Sequence, residues 1–217
     1  PVLEFGDIVF GNADNFVRAD RNVGRVEAVR GGSASTFASN SPGGVINFIS
    51  KTGLEEGGAV AGTIGIDHET YRLDFDYGGA LDATSYFHVG GFYRTGEGVR
   101  DTGFNGKEGG QIKANLTTEF DGGYIRVHGK YLDDSTPTIL PQPVAVTGTD
   151  SDPDYTAIAN FDPRTASLYS RYISAARTLD GDNNPTTYDI HDGLSVKSAA
   201  FGVEAEVEFA PGWTLTN

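Results

Sequence analysis

The sequence predicts an all-β membrane protein in which a short strand-and-turn unit precedes a wall of antiparallel strands. Three observations carry that prediction. From about Gly57 onward, apolar and polar residues alternate with period two through successive segments of barrel-strand length. The connections between those segments are long at one end and short at the other. Thirty glycines and an aromatic content of 11% supply the turns and the bulky faces that such a sheet uses.

Composition narrows the function classes. At 217 residues the chain holds one domain or two small ones. A formal charge of -14 argues against a nucleic-acid partner, because a phosphate backbone demands a basic face. With no cysteine, the chain offers neither a disulfide nor a thiolate metal site. No apolar run approaches the roughly 18 residues of a spanning helix, yet barrel strands alternate and never show such a run. A chain that opens on Pro1 and contains no methionine is expected to be an internal fragment.

The first element is the stretch Arg25 to Gly53. Val26, Glu27, Val29 and Arg30 read as a strand that ends at Gly31 and Gly32. A loop of small residues around Phe37 follows, then Gly43 and Gly44, then Val45-Ile46-Asn47-Phe48-Ile49 and Lys51. Glycines at these points permit sharp turns between short strands, and an apolar run broken only by Asn47 suits a strand covered on both faces. A double glycine before an apolar strand also occurs in βαβ and sandwich proteins. The order of the whole motif is more specific, and it resembles the last part of the plug domain of TonB-dependent outer-membrane receptors. Two positions depart from that pattern: Gly32 stands where the family usually has proline, and Ala38 where a glycine commonly follows the aromatic.

The resemblance implies a division at about residue 53. Residues 1–53 would be the C-terminal part of an α+β plug domain, and 54–217 the first seven or so antiparallel strands of a transmembrane β-barrel, family-typically 22-stranded. Strands are expected at about 57–66, 71–77, 84–95, 110–120, 124–132, 196–209 and 213–217. Tyr71, Leu73, Phe75 and Tyr77 alternate with Arg72, Asp74 and Asp76. Phe87, Val89 and Tyr93 oppose Tyr86, His88, Phe92 and Arg94. Ile112 to Phe120 and Ile125 to Tyr131 continue the pattern, and Ala199, Phe201, Val203, Ala205, Val207 and Phe209 alternate with Glu204, Glu206 and Glu208. In a soluble sandwich this would separate core from solvent, and in a barrel it separates lipid from lumen.

A strand leaving a periplasm-facing plug must rise first. The long connections, 96–109 and 133–195, would then be extracellular, and the short ones periplasmic. Tyr71, Tyr77, Tyr93, Phe120, Tyr124, Tyr131 and Trp213 fall near strand ends, where they suit either an aromatic girdle or ordinary packing. Arg72, Asp74, Arg94, Lys113, Glu119, Arg126, Lys130, Glu204 and Glu206 would face the lumen. By resemblance, arginine and glutamate clusters hold the plug to the wall. That makes Glu27 and Arg30 the plug's share of the contact, with Arg30 the candidate gating residue; Gly31, Gly43, Gly44, Asn47 and Lys51 complete the plug motif.

The segment 133–195 holds ten aspartates and three arginines, and loops of that length are usually functional or disordered. Ala166 to Leu179 is expected as a short helix with Leu168, Tyr172, Ala176 and Leu179 on one face. Tyr155, Phe161, Tyr169 and Tyr172 could stack on a sugar or aromatic ligand or pack the loop itself, and Arg100, Asp101 and Phe104 would line the same mouth. Two strings, Asp150/Asp152/Asp154 and Asp180/Asp182/Asn184, have the opening spacing of a calcium loop. Both lack its glycine and its closing glutamate, so they read as solvated turns.

His68, His88, His128 and His191 are scattered, and no nucleophile, base and orienter can be assembled. The expectation is a non-enzyme without a cofactor. By resemblance, the function is active import of a scarce solute, a ferric siderophore or an oligosaccharide or other nutrient, across the bacterial outer membrane. Its partners would be outer-membrane lipid and the TonB complex, the latter reached through a segment upstream of this chain. A passive porin or adhesin barrel is the principal alternative, followed by a barrel enzyme and a secreted soluble sandwich.

Overall fold

The computed structural model describes residues 17–32, 43–137, 143–167, 169 and 171–217. Phe37, Ala38 and Leu168 lie outside the described residues. Strands β1 (Val23–Arg30) and β2 (Gly44–Ser50) form an antiparallel pair in which Glu27 sits opposite Asn47 and Arg30 opposite Gly44. Its apolar side chains stay largely uncovered, Val26, Ile46 and Phe48 among them.

The main sheet has seven strands, β3 (Gly57–Ile64), β4 (Glu69–Ala80), β5 (Ser85–Gly98), β6 (Glu108–Phe120), β7 (Gly123–Thr136), β12 (Leu194–Ala210) and β13 (Trp213–Thr216). Each pairs antiparallel with its neighbour in the order β13-β12-β7-β6-β5-β4-β3. Two short hairpins, β8 (Ala145–Thr149) with β9 (Asp152–Thr156) and β10 (Ala175–Leu179) with β11 (Pro185–Asp189), occupy the segment between β7 and β12. The described residues contain no α-helix; Ile190–Asp192 makes a single 3-10 turn.

Several strands run past their expected ends. β4 extends from Glu69 to Ala80 rather than 71–77, because Gly78 and Gly79 pair with His88 and Phe87 instead of starting a turn. β5 continues to Gly98 and β6 begins at Glu108, which shortens the loop between them to Val99–Lys107. β7 reaches Thr136 and β12 starts at Leu194, each two to four residues into the expected loop. β3, in contrast, stops at Ile64.

The helix expected over Ala166–Leu179 is absent among the described residues of that range. Its last five residues are strand β10, and the cause is the turn that follows. The Asp180 carboxylate accepts the backbone N–H groups of Asp182 and Asn184 at 2.9 Å each, and Asn183 adopts φ 63°. That Asx-type turn pairs Leu179 with Pro185 and draws 175–179 into a hairpin, overriding a helical spacing of apolar residues.

Burial in the sheet is inverted relative to a soluble sheet. Among the described residues the buried large apolar side chains are Phe92, Leu132 and Val196. Nine polar residues are also buried, and six of them, Asp74, Asp76, His88, Gln111, Thr117 and Asp134, share one face of the sheet. The opposite face exposes Leu73, Phe75, Ile112, Leu116, Ile125, Phe201 and Val203. Tyr71, Tyr93 and Tyr131 stand on that apolar face towards the long connections, and Tyr77, Phe120, Phe209 and Trp213 towards the short ones. Tyr124 departs from the girdle expectation: its hydroxyl donates to Glu204 on the polar face, where the Arg126 guanidinium lies 5.0 Å from its ring.

Candidate functional site

The polar face is occupied by the chain's own residues Val17–Asn22 together with Lys51. A local device shapes that segment. The Asp20 side chain accepts the N–H of Asn22 at 3.0 Å while its carbonyl accepts that of Val23 at 3.2 Å, so the chain turns into β1. The Lys51 N–H then donates to the Asn22 carbonyl at 2.7 Å, tying the end of the β1–β2 pair to its beginning.

Every residue from Arg18 to Arg21 meets the wall through polar atoms. Arg18 Nε donates to Asp134 at 2.7 Å, and Arg94 grips the same carboxylate through Nε and Nη2 at 2.8 and 2.6 Å. The Ala19 carbonyl accepts from Arg72 at 2.8 Å; Arg72 is also bidentate on Asp74 and lies 3.9 Å over the Phe92 ring. Asp20, its side chain fully buried, takes Gln111 and, at 3.4 Å, Lys113. Arg21 and Lys51 converge on Asp76 at 2.8 and 2.7 Å, and His88 Nε2 lies 3.3 Å from it. Asn115 donates to the Lys51 carbonyl at 2.8 Å.

Such buried charges are tolerated because each is paired and hydrogen-bonded, and taking away one partner is far costlier than removing both. Asp134 is the extreme case, a carboxylate with no exposed side-chain surface between two guanidiniums. The seam holds position through charge geometry rather than apolar packing. A second network lies further along the face, where Arg126 donates to Thr117 at 2.8 Å and to Glu204 at 3.2 Å, and Tyr86 donates to Glu119 at 3.0 Å.

Of the expected motif residues, Lys51 joins the seam. Glu27 instead pairs with Arg25 on its own strand at 2.9 Å, both exposed, and Arg30 stands exposed at the tip of β1. Gly31 (φ 76°) and Gly44 (φ 144°) take backbone conformations that side chains disfavour, and a Cβ on Gly44 would lie 2.7 Å from the Val29 carbonyl oxygen. The contacts that sequence reasoning missed are Arg18, Asp20, Arg21 and Asp134. Two signals pointed to them. Arg18-Ala-Asp-Arg21 is a dense charge cluster just before the first strand, and Asp134 continues the phase of Arg126, His128, Lys130 and Leu132.

At the opposite end of the sheet the two long connections are joined. The Asp101 N–H donates to the Thr165 carbonyl at 2.8 Å, and Phe104 stacks on His191 at 3.9 Å with Tyr169 edge-on at 5.8 Å. The Arg164 guanidinium and N–H hold the Asp162 carboxyl at about 2. Backbone N–H donors likewise hold the Asp180 carboxyl below the usual range. Asp150 sits in the β8–β9 turn with Asp152 and Asp154 on β9, and no group of metal-binding side chains is assembled among the described residues. Tyr155 is exposed on β9 and Phe161 bridges back to Ile158, so neither joins the Phe104–Tyr169 cluster. The Arg100 side chain is half-buried, with its Nε buried and unbonded among the described groups.

Neither a protein-family model nor a curated protein matches this sequence.

Proposed function

We propose that this chain is part of an energy-coupled importer of the outer membrane: residues 17–53 belong to a plug, and the seven-stranded sheet is a stretch of the surrounding barrel wall. The observation that carries this reading is the inverted sheet, whose charged face is gripped by the chain's own N-terminal segment while its apolar face is bare. In lipid, the bare face is satisfied and the charged face lines a polar lumen. A seam made of ion pairs and hydrogen bonds suits a plug that must move, because water can replace each contact as it opens. The reaction is displacement driven from the inner membrane through TonB, with no covalent step. The motif Arg25 to Gly53 supports the same assignment.

The apolar face supplies one test. Phe201 is 76% exposed and lies in register beside Gly129. Phe201→Arg is expected to destabilise the membrane-inserted full-length protein by about 2–4 kcal/mol, the penalty for a cation near the bilayer midplane. Unfolding by urea in lipid vesicles measures it; a change near zero would mean that this face does not meet lipid.

Transport supplies the other. Full-length protein in liposomes should not swell them in isosmotic small sugars without TonB. Free swelling would favour a passive porin and remove the import reading.

A further inference from the structure

We propose that the joined connections at the far end of the sheet form a binding site for a neutral carbohydrate. A cavity of about 430 Å³ opens there, lined by Glu69, Glu97, Asp101, Tyr169, Arg171 and Tyr172. It is built from residues remote in sequence: the start of β4, the end of β5, the Val99–Lys107 connection, and Tyr169, Arg171 and Tyr172. The Asp101–Thr165 hydrogen bond and the Phe104–Tyr169 edge contact hold those pieces together.

The lining chemistry selects the ligand. A sugar hydroxyl both donates and accepts, so its site needs carboxylate acceptors beside a guanidinium donor, and this lining has both. The flat carbon face of a pyranose stacks on aromatic rings, and two tyrosines, Tyr169 and Tyr172, belong to the lining. Arg171 lies 5.9 Å from the centre of the Tyr172 ring. Glu97 uses one oxygen, Oε2, to accept the Gly103 N–H at 2.8 Å.

Charge argues against an anionic cargo. Three carboxylates face one guanidinium in the lining, and the connection 137–193 around it holds eight aspartates and three arginines. The local field therefore repels anions such as a polycarboxylate iron chelate. The volume lies at the small end of the roughly 300–1,000 Å³ range of ligand pockets, which suits one or two sugar rings.

This inference rests on the import reading only for what happens after binding. The test is calorimetry on the purified full-length protein, in a detergent without a sugar headgroup. The probes are malto-, cello- and xylo-trioses, a trigalacturonate, a chitosan trimer and an anionic ferric catecholate. At least one neutral trisaccharide is expected to bind more tightly than the charged probes. Tyr172→Ala should weaken it about tenfold, as loss of an aromatic anchor does, and Arg171→Gln should weaken it by several fold. Heat-modifiable gel mobility checks that both variants fold. Absence of binding by every neutral trisaccharide, preference for the catecholate, or an affinity unmoved by Tyr172→Ala would each overturn the proposal. Sugar binding without TonB-dependent uptake supports the site while removing the import reading. TonB-dependent uptake of the chelate with no sugar binding does the reverse.

Discussion

Asp134→Ala will release the Val17–Asn22 segment from the wall while the sheet stays folded. The substitution takes from Arg18 and Arg94 the buried carboxylate that both of them hold. Removing one partner of a buried ionic cluster costs about 3–5 kcal/mol, and here the cost falls on the seam, because β7 keeps its backbone ladder to β6 and β12. Backbone amides of residues 18–22 should exchange about two to four orders of magnitude faster, at tenfold per 1.4 kcal/mol. Hydrogen exchange with mass spectrometry on the full-length protein measures this. The double variant Arg18→Ala/Asp134→Ala should lose less than the two single effects combined, since it removes one of the two guanidiniums along with the carboxylate they share. Unchanged exchange in Asp134→Ala would mean that the segment is held by something other than this pair.

Gly53→Ala will block assembly of the protein. Gly53 has φ 84°, and a Cβ built there would lie 1.8 Å from the Phe87 carbonyl oxygen. The obstacle is strand backbone, already fixed by the pairing of Phe87 with Gly79 and Leu116, so it cannot swing aside. Gly78 offers no relief, since a Cβ on it would lie 2.9 Å from the Cα of Gly53. The left-handed backbone costs about 1–2 kcal/mol and the overpacking about 1–3 kcal/mol more. The yield of heat-modifiable folded protein should collapse, while Leu54→Ala, at a residue 71% exposed, should fold normally. Wild-type yield from Gly53→Ala would show that the chain does not pass through this crossing.

How much of this was legible in the sequence varied with the range of the forces involved. Period two exposed the strands from Tyr71 to Tyr77 and from Ala199 to Phe209, because a sheet with two unlike faces imposes that period on every residue. Strand ends were harder: Gly78, Gly79 and Gly98 carry turn propensity but are held in the ladder by their partners, and Gly96 sits at a register shift within it. The helical spacing at 166–179 lost to a turn set by one carboxylate at Asp180. The seam was the least legible part. Arg18 and Asp134 are 116 residues apart, and nothing local marks them as partners. Lys51 closes the motif and joins the seam, and Glu27 and Arg30 belong to its first strand, where the resemblance pointed to them; Glu27 pairs with Arg25 on its own strand, and further seam contacts come from Arg18 to Arg21 just before it.

Displacement of the proposed plug can be read without knowing the cargo. Asn22 is 1% exposed in the seam, and this chain contains no cysteine of its own. Asn22→Cys in the full-length protein provides a single thiol within the chain that a small reagent reaches only when the segment leaves the wall. Labelling of whole cells should proceed with TonB and a proton-motive force present, and should fall when either is removed by deletion or by a protonophore. Equal labelling under all three conditions would contradict a plug moved by energy from the inner membrane.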